Sequence, residues 1–511
     1  MRKFFSLFFL GFALFVIGCT GESDLSNGQV NNLEEPLFTE AELKVLYQMR
    51  NEDYKVSVEE ATKFAGEVIT FLDGTSVVKS GRSRNIRSVV PVRWENKPVT
   101  LRSMSEADIE YPDTVVYIFN FGEEDGYAIV AADTRIDASV LAYTGSGSLG
   151  VETDNPGLGL FLEGAENYIQ RSIVEAEQRK DSLMDDIIAK LESETDTKPL
   201  YTKREDPMYS LEAVETKILG EIETVNHVSP LSRVEWGQGD ARNEPFWRNV
   251  RYNNCTSGTS PAGCVAVAVA HIMSYWKYPT SIDGKSFNWT ELNKYTSFPS
   301  ITRTNRYKNW IQEIDYAPEE IKTQAANLME SIGSKVGMEY GCNGSGAFSE
   351  NAISYLKSIN YGGGDKSDYD YNKVKSSLNN ERPVYIDGYA YKTTYKHAHK
   401  FLGITLYYTY STSYSGGHAW IIDGYLEQQQ PITITTRMVN TATGEVVRSS
   451  TSTTYIYTNY LHNNWGWHGY DNGYYAEGCF NSNLQPLASN TKSGEAYNFQ
   501  YLISIWPNIY K

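Results

Sequence analysis

The sequence predicts an α+β protein of two domains, on three observations. Two apolar runs rich in β-formers, 114–121 and 127–132, flank a polar turn and indicate a hairpin, and a helical pattern follows over about 158–194. From Cys264, a run of small apolar residues indicates a buried helix, and later segments such as 418–422 indicate strands. The charge balance of the chain changes near residue 225, where we place the boundary between the domains.

Charge and aromatic content separate the two parts of the chain. Residues 20–225 contain 40 Asp and Glu against 20 Lys and Arg, a net charge of about −20, whereas 226–511 is nearly neutral. Nine of the ten Trp and 29 of the 38 Tyr lie after residue 225. The sequence contains no glycine-rich phosphate loop, basic stripe or internal repeat, which argues against a nucleotide-binding or nucleic-acid-binding protein.

Cys264 is the strongest candidate for chemistry. Pro261 and Gly263 break the chain just before it, and the apolar run 265–270 follows. This pattern places the cysteine in the first turn of a buried helix, where unpaired N–H groups and the helix dipole favour a thiolate. A lone cysteine in an apolar helix is more often inert, so the prediction needs a base as well.

His418 is the candidate base, 154 residues after the cysteine. It begins a short apolar strand, and the two glycines before it leave room for a neighbouring backbone. Asn464 lies farther on, beside Trp465. The chain thus has a cysteine that could attack, a histidine that could exchange protons and an amide that could orient the imidazole. His271 is about 10 Å from Cys264 along the same helix at roughly 1.5 Å per residue, too far to reach the sulfur.

Metal binding is the rival interpretation of the Cys and His residues. His397 and His399 could supply two ligands, but the sequence has no CxxC or HExxH spacing, so we expect neither a metal nor another cofactor. If Cys264 must remain a thiol, then Cys255, Cys342 and Cys479 cannot all pair with one another. The sequence identifies no pair among them.

Together these segments resemble the streptopain-type cysteine peptidases of the papain-like class. The resemblance covers about 236–480 and rests on segments whose order matches that family. These segments are 236–238, 263–266, 271–275, 382–385, 417–424 and 464–467. It implies a two-lobe catalytic domain, with Cys264 in a helical lobe and His418 in a lobe formed by a twisted antiparallel sheet.

The resemblance also implies roles for single residues. Cys264 would be the nucleophile and His418 the general base and then acid. Asn464 would orient the His418 ring, Trp465 would shield that hydrogen bond, and Gln238 would donate to the oxyanion hole. The candidate substrate-binding residues are Ser345, Gly346 and Gly417. The family favours a bulky apolar residue just before the residue at the cut.

The acidic N-terminal part resembles the propeptide of the same family, through 116–122 and 126–133. We therefore expect an inhibitory α+β domain over 36–197, an exposed processing linker over 198–225, and a peptidase domain over 226–511. We call the first and last of these the N-terminal and C-terminal domains. Two stretches are longer than in the family: 389–415, and 426–461, which predicts an extra hairpin around Thr443 and Gly444. We hypothesise that one of them borders the cleft and narrows substrate choice.

The first residues predict export. A basic start and the apolar stretch 4–17 form a signal too short to span a membrane, and Val16, Gly18 and Cys19 resemble a bacterial lipoprotein box. We therefore expect a signal peptide over 1–18, lipid on Cys19, a tether over 19–35, and a membrane lipoprotein in the periplasm or at the cell surface.

The predicted function is an exported cysteine endopeptidase made as a zymogen, with proteins or peptides and its own propeptide as partners. Two alternatives stay open at this point. The first is a transglutaminase-like enzyme that transfers the acyl group to an amine, and the second is a non-catalytic surface-binding protein on a peptidase fold.

Overall fold

The structure is a computed structural model that describes residues 37–511, with gaps. The residues outside the description are 52, 76–83, 95–108, 123–124, 151–152, 154, 194–208, 219–221, 239–259, 296–317, 343, 391–397, 402–403, 409–416, 441–442 and 482–500. Cys19, Cys255 and His397 therefore lie outside it. None of the described helices combines the length and apolar character needed to cross a membrane.

The described helices lie in both domains, with a 3-10 helix at Glu477–Phe480. The α-helices are α1 (Glu40–Gln48), α2 (Val58–Thr75), α3 (Pro156–Ser193), α4 (Cys264–Trp276), α5 (Trp289–Tyr295), α6 (Glu319–Val336), α7 (Ser349–Ser358) and α8 (Tyr371–Asn379). The strands are β1 (Ile86–Arg93), β2 (Thr114–Phe121), β3 (Tyr127–Ala131), β4 (Val140–Thr144), β5 (Tyr209–Ile218), β6 (Glu223–Val228), β7 (Ser281–Ile282), β8 (Lys285–Ser286), β9 (Ser367–Asp368), β10 (Val384–Ala390), β11 (Ala398–Phe401), β12 (Ile404–Tyr408), β13 (Gly417–Asn440), β14 (Val446–Asn464), β15 (Gly473–Ala476) and β16 (Tyr501–Trp506).

The N-terminal domain has the predicted α+β composition. Antiparallel strands β1 to β4 form its sheet, and the predicted hairpin is β2 and β3. The predicted long helix is α3, which spans 38 residues. Asn155 caps its first turn because its Oδ1 accepts hydrogen bonds from the N–H groups of Gly157 and Leu158, and Pro156 occupies the first helical position.

The C-terminal domain has the expected helical lobe and antiparallel sheet. Helices α4, α6 and α7 pack together around one apolar core. Strands β15, β14, β13, β10, β16 and β9 form the sheet in that order. Side chains alternate along β13, so that Ala419 and Ile421 face the helical core, whereas Trp420 and Ile422 belong to the core shared with the N-terminal domain.

The two domains form one continuous sheet, which the sequence did not predict. Strand β4 pairs with β15, with Tyr143 opposite Tyr474, so the N-terminal sheet extends the C-terminal one. One hydrophobic core contains residues of both domains, including Phe161 and Tyr475, whose rings lie 4.6 Å apart. Phe38–Lys511 accordingly forms a single unit.

The segment expected to be an exposed linker forms strands where it is described, and most residues of β6 are exposed. Strand β5 pairs with β13 between Ile432 and Asn440, and β6 pairs with the same strand between Tyr425 and Gln429. The polar composition of this segment suggested a loop, but the long edge of β13 supplies backbone donors and acceptors that a polar segment can use. The linker therefore forms an edge of the sheet where it is described.

The predicted hairpin in 426–461 is present. Strands β13 and β14 pair from Leu426 opposite Tyr460 to Val439 opposite Val446, with the turn at the expected Thr443 and Gly444. We call residues 426–461 the ribbon. In the other insertion, the described residues form only the two-stranded pair β11 and β12.

Candidate active site

Cys264 begins α4, as the sequence predicts. The preceding residue, Gly263, has φ +88°, and a Cβ atom on it would lie 2.6 Å from Met338 Sδ and 3.0 Å from the Ser345 carbonyl oxygen. Only glycine fits this position, both for its backbone conformation and for the space available. The turn thus brings the loop that contains Ser345 against the start of the cysteine helix.

The expected low pKa of Cys264 is wrong for this covered form of the protein. Burial raises the pKa of the Cys264 thiol, and the charge of the buried Asp387 raises it further, whereas backbone N–H groups of Ala419, Val265 and Cys264 itself act in the opposite direction. Cys264 as a residue is partly exposed, but its sulfur lies among protein groups and is largely removed from water. Desolvation therefore outweighs the helix N-terminus, and the resting group is a thiol.

His418 lies at the start of β13, where Gly388 of β10 is its partner. Because the Ala419 N–H donates to the Cys264 sulfur, the cysteine lies against the end of β13 that begins with His418. The His418 ring is buried, stacks on Trp420 with 16° between the planes, and contacts the Trp465 carbonyl oxygen through Nε2 at 2.8 Å.

This contact fixes the position of the proton on the ring. Burial lowers the pKa of His418 to about 4, so the ring is neutral near pH 7, although the bond to Trp465 acts in the opposite direction. A carbonyl oxygen only accepts hydrogen bonds, so Nε2 carries the proton. Nδ1 is then the basic nitrogen, which is the state that a general base requires.

Asn464 does not hold the His418 ring in this structure. Its Nδ2 donates to the Val234 carbonyl oxygen at 2.8 Å, and its Oδ1 accepts from the Gly466 N–H at 3.4 Å. The group that orients the histidine is the Trp465 backbone carbonyl. The Trp465 side chain is fully buried and packs on Trp420 with ring centroids 5.0 Å apart.

The other predicted site residues lie in the segments around the cysteine. The Gln238 carbonyl oxygen accepts from the Ala262 N–H at 2.8 Å, so Gln238 lies beside the approach to Cys264. Gly346 is bonded to Glu339 across a small bridge and has open space where a side chain would be. Gly417 is exposed and pairs with Tyr389.

The N-terminal domain covers this arrangement directly. A Cβ atom on Gly157, in the first turn of α3, would lie 2.3 Å from the Trp465 ring and 2.9 Å from His418 Cδ2. The start of α3 therefore packs on the histidine and on the tryptophan whose carbonyl holds it. A substrate could not occupy the same space.

Sequence reasoning missed the residue that joins the two domains here, Asp471. Its carboxylate accepts from Asn155 Nδ2 at 2.9 Å and from Tyr127 Oη at 3.3 Å, while its carbonyl oxygen accepts from Trp465 Nε1 at 3.0 Å. Asn155 thus caps α3 and also holds the loop that supplies the Trp465 carbonyl. The Asn-Pro pair at the helix start was a visible signal for the cap, but no local signal indicates its partner.

The remaining candidates do not form a second centre in the described residues. His271 is fully buried, packs against Trp236 and has its pKa lowered to about 3 by burial. Within the described ranges, no group of three His, Cys, Asp or Glu side chains is placed to hold a metal ion. Cys342 is disulfide-bonded, and Cys264 and Cys479 are free thiols.

Two family models match the chain. Residues 246–475 match the Peptidase C10 family, and residues 54–169 match the Spi protease inhibitor model. The first match contains Cys264, His418 and Trp465, and the second contains Asn155 and Gly157. The two groups of residues that meet at the covered site thus come from different matched regions.

Curated relatives and solved structures are also similar to the chain. Thiol protease/hemagglutinin PrtT of Porphyromonas gingivalis is 26% identical over 335 residues, which are 62% of this chain and 32% of that protein. Streptopain of Streptococcus pyogenes serotype M1 is 25% identical over 250 residues, 45% of this chain and 48% of that protein. The chain therefore matches about a third and about half of the length of these relatives.

The structure of a mutant prointerpain A fragment from Prevotella intermedia has a TM-score of 0.41 and 18% identity, covering 79% of this chain and 98% of the fragment. Active interpain A from the same organism has a TM-score of 0.33 and 20% identity, covering 56% of this chain and 97% of that structure.

Proposed function

Because the chain carries a Peptidase C10 family domain behind a Spi protease inhibitor domain, we propose that it is a cysteine endopeptidase made as a zymogen. The observation that supports the proposal is that Cys264 bonds the backbone of Ala419, the residue after His418, while the His418 ring is held by Trp465 and packed against α3. The candidate nucleophile therefore lies beside the strand that carries the candidate base, and the start of α3 covers that base.

In the proposed reaction, Cys264 transfers its proton to His418, and the sulfur attacks the carbonyl carbon of the scissile peptide bond. The Cys264 N–H and the Gln238 side chain stabilise the oxyanion. His418 then protonates the leaving amine, which leaves an acyl-thioester on Cys264. Water activated by His418 releases the acyl group and restores the thiol.

The role of Trp465 differs from the arrangement expected for Asn464. Its carbonyl accepts the Nε2 proton throughout the cycle, so Nδ1 is the nitrogen that exchanges protons. We propose that Asn464 acts one step away, by holding the backbone of Val234 and Gly466 around that carbonyl. Ser345, Gly346 and Gly417 remain candidates for binding the substrate backbone.

Export and lipidation belong to the same proposal. The signal pattern at 1–18 supports export, and the box ending at Cys19 supports a lipid anchor on the mature chain. A Cys19→Ser chain that still incorporates labelled fatty acid, and still sediments with membranes, would contradict the anchor.

The test of the activity compares purified 20–511 protein with its Cys264→Ala variant under reducing conditions, by intact mass over time. We expect only the wild type to lose its N-terminal domain and then to hydrolyse casein. Incorporation of an added amine without hydrolysis would instead identify an acyl-transfer enzyme. Wild-type protein that stays inactive after it has been trimmed near Lys203 and separated from its N-terminal domain would favour the non-catalytic binding protein.

A further inference from the structure

The two faces of the ribbon differ in burial. On β13, Gln428, Gln430, Ile432, Ile434 and Thr436 point to one face and are all buried. The exposed side chains of β14 include Thr451, Thr453, Tyr455 and Tyr457, at alternate positions along the strand. A hairpin of this length with a fully buried isoleucine pair needs something to cover one face.

The N-terminal domain contacts this ribbon. Helix α1 packs against β13, β14 and β5. From α2, Glu67 hydrogen-bonds Gln430, and burial raises the pKa of the Glu67 carboxyl. The ribbon therefore contacts two helices of the N-terminal domain, α1 and α2. Neither contact involves α4, the helix that begins with Cys264.

Helix α1 is itself fixed to the rest of the N-terminal domain. The Lys190 ammonium at the end of α3 donates to the Glu42 carboxylate at 2.6 Å, and the side chain of Gln48 donates to the Arg135 carbonyl oxygen at 3.0 Å. Lys44 pairs with Asp137 at 3.0 Å. Several polar contacts thus hold α1 on the N-terminal domain, and α1 in turn contacts the ribbon.

The other edge of the ribbon binds the chain that follows the N-terminal domain. Strands β5 and β6 pair with β13 along most of its length beyond Ile422. The Leu231 N–H and the Ser232 N–H then bond the backbone and side chain of Asp423. A cut before β5 would leave both strands attached to the C-terminal domain.

Apart from α2, which lies within the Spi match, the partners of the ribbon lie outside the matched family regions. Helix α1 precedes residue 54, and β5 and β6 fall between residues 169 and 246. The ribbon contact is thus additional to the contact at Cys264 and His418, and it uses a different part of the N-terminal domain.

We propose that the ribbon is a second binding surface for the N-terminal domain, which keeps that domain bound after the linker has been cut. The proposal rests on the proposed zymogen function. Activation then takes two events: cleavage before β5, and release of α1 and α2 from the ribbon. Cleavage by itself leaves a nicked, covered enzyme.

The test uses the Cys264→Ala chain with a site for a sequence-specific protease inserted after Leu200. After cutting, the two fragments are diluted and separated by size-exclusion chromatography. One variant carries Ile432→Asp and Ile434→Asp on the buried face of the ribbon. The matched control carries Thr453→Asp and Tyr455→Asp on its exposed face.

We expect the parent and the control to elute as a complex at micromolar concentration, and the buried-face variant to bind about 100-fold more weakly, since two desolvated isoleucines are replaced by charges. A chain that starts at Asn51 removes α1 and leaves the ribbon sequence intact, so it tests the same contact if the isoleucine variant does not fold. It should dissociate in the same concentration range.

The proposal is overturned if the fragments of the cut parent dissociate at the same concentration as those of the buried-face variant. It is also overturned if both the buried-face variant and the Asn51 chain form a complex as tight as that of the parent. Since all of these chains lack the thiol, binding is measured whether or not the wild type is a peptidase. The same cut in the chain that retains Cys264 should give an enzyme with low activity on a peptide substrate, and the ribbon variant should raise that activity about tenfold or more.

Discussion

Besides the β4–β15 pairing and the shared core, the N-terminal domain meets the C-terminal domain at two contacts that are built differently. At the active site, Asn155 hydrogen-bonds the carboxylate of Asp471, whose carbonyl oxygen accepts from Trp465, and Gly157 packs against Trp465 and His418. At the ribbon, helices cover the side chains of a strand pair, and the linker adds backbone pairing. In the proposed zymogen, the first contact would block catalysis, whereas the second would add binding free energy without touching the reactive groups.

This difference implies that the two contacts respond differently to substitution. Breaking a polar network leaves buried donors and acceptors without partners, which costs about 1–3 kcal/mol for each group. A helix and strand interface loses binding free energy in proportion to the apolar area removed. Inhibition and retention of the N-terminal domain are therefore expected to be separable.

The largest effect is expected from removing the nucleophile, which leaves both contacts intact. Cys264→Ala should lower peptide hydrolysis by at least about 1000-fold, because the other described free thiol, Cys479, is buried in the shared core. The assay is release of a fluorophore from a peptide after the N-terminal domain has been removed, with near-UV circular dichroism as the folding control. If the variant kept a rate of hydrolysis within tenfold of wild type, Cys264 would not be the nucleophile.

Gly157→Ala should break the active-site contact alone. The added methyl would overlap the Trp465 ring, so the start of α3 must move away from His418. We expect Cys264 in the uncleaved chain to react with iodoacetamide about 100-fold faster, measured by mass spectrometry. Gly66→Ala, on α2 with nothing within 4 Å of the new methyl, is the matched control and should change nothing.

The same substitution should leave the ribbon contact in place, so the cut Gly157→Ala chain is still expected to elute as a complex. Equal reactivity of Gly157→Ala and Gly66→Ala chains would show that α3 does not cover the thiol.

Acid should weaken one contact and strengthen the other. The pKa of His418 in the covered form is about 4, below its ordinary 6.5, so the uncovered form binds the proton more readily and the active-site contact weakens as pH falls from 6.5 to 4. The pKa of Glu67 at the ribbon is raised, so protonation of its carboxyl favours the bound form as the pH falls towards 4.5 and below. The ribbon and α1 contain no histidine.

We therefore expect the cut Cys264→Ala chain to bind its N-terminal domain roughly 30-fold more weakly at pH 5 than at pH 7.5, with His418 as the source. The His418→Gln variant should lose this dependence and should bind slightly more tightly in acid. The measurement is a dissociation constant at each pH. If the cut Cys264→Ala chain that retains His418 bound its N-terminal domain more tightly at each step down to pH 5, the active-site part of this prediction would be wrong.

The smallest effect is expected inside the active-site contact, at Asn464. Because the Trp465 carbonyl holds His418, Asn464→Ala should lower kcat by about tenfold, through the loop backbone, and should leave the binding of the N-terminal domain unchanged. Steady-state kinetics of the mature enzyme measure this. A loss as large as that of Cys264→Ala would restore Asn464 as the residue that orients the ring.

The elements that the sequence predicted correctly have local signals. The start of α4 at Cys264 follows from Pro and Gly before an apolar run, and the hairpin of β2 and β3 follows from two β-rich runs around a polar turn. The ribbon was also predictable, since its alternating residues surround a Thr-Gly turn. Each of these signals lies within one continuous stretch of the chain.

The incorrect expectations concern properties that depend on distant residues. The pKa of Cys264 depends on its burial and on Asp387, and the acceptor of the His418 proton is a backbone carbonyl, which every residue has and no side-chain pattern marks. The polar sequence of the linker did not indicate strands β5 and β6, because their pairing depends on the edge of the distant β13. The pairing of β4 with β15 likewise could not be read from either strand alone.

That pairing has a consequence for the mature enzyme. When the N-terminal domain leaves, β15 becomes the outer strand beside β14, with backbone groups that β4 had satisfied. A newly bared edge can recruit strands from other molecules and lead to aggregation. Here the bared strand is only Gly473–Ala476, and the 3-10 helix Glu477–Phe480 follows it at once, so little length remains for a foreign strand to extend along.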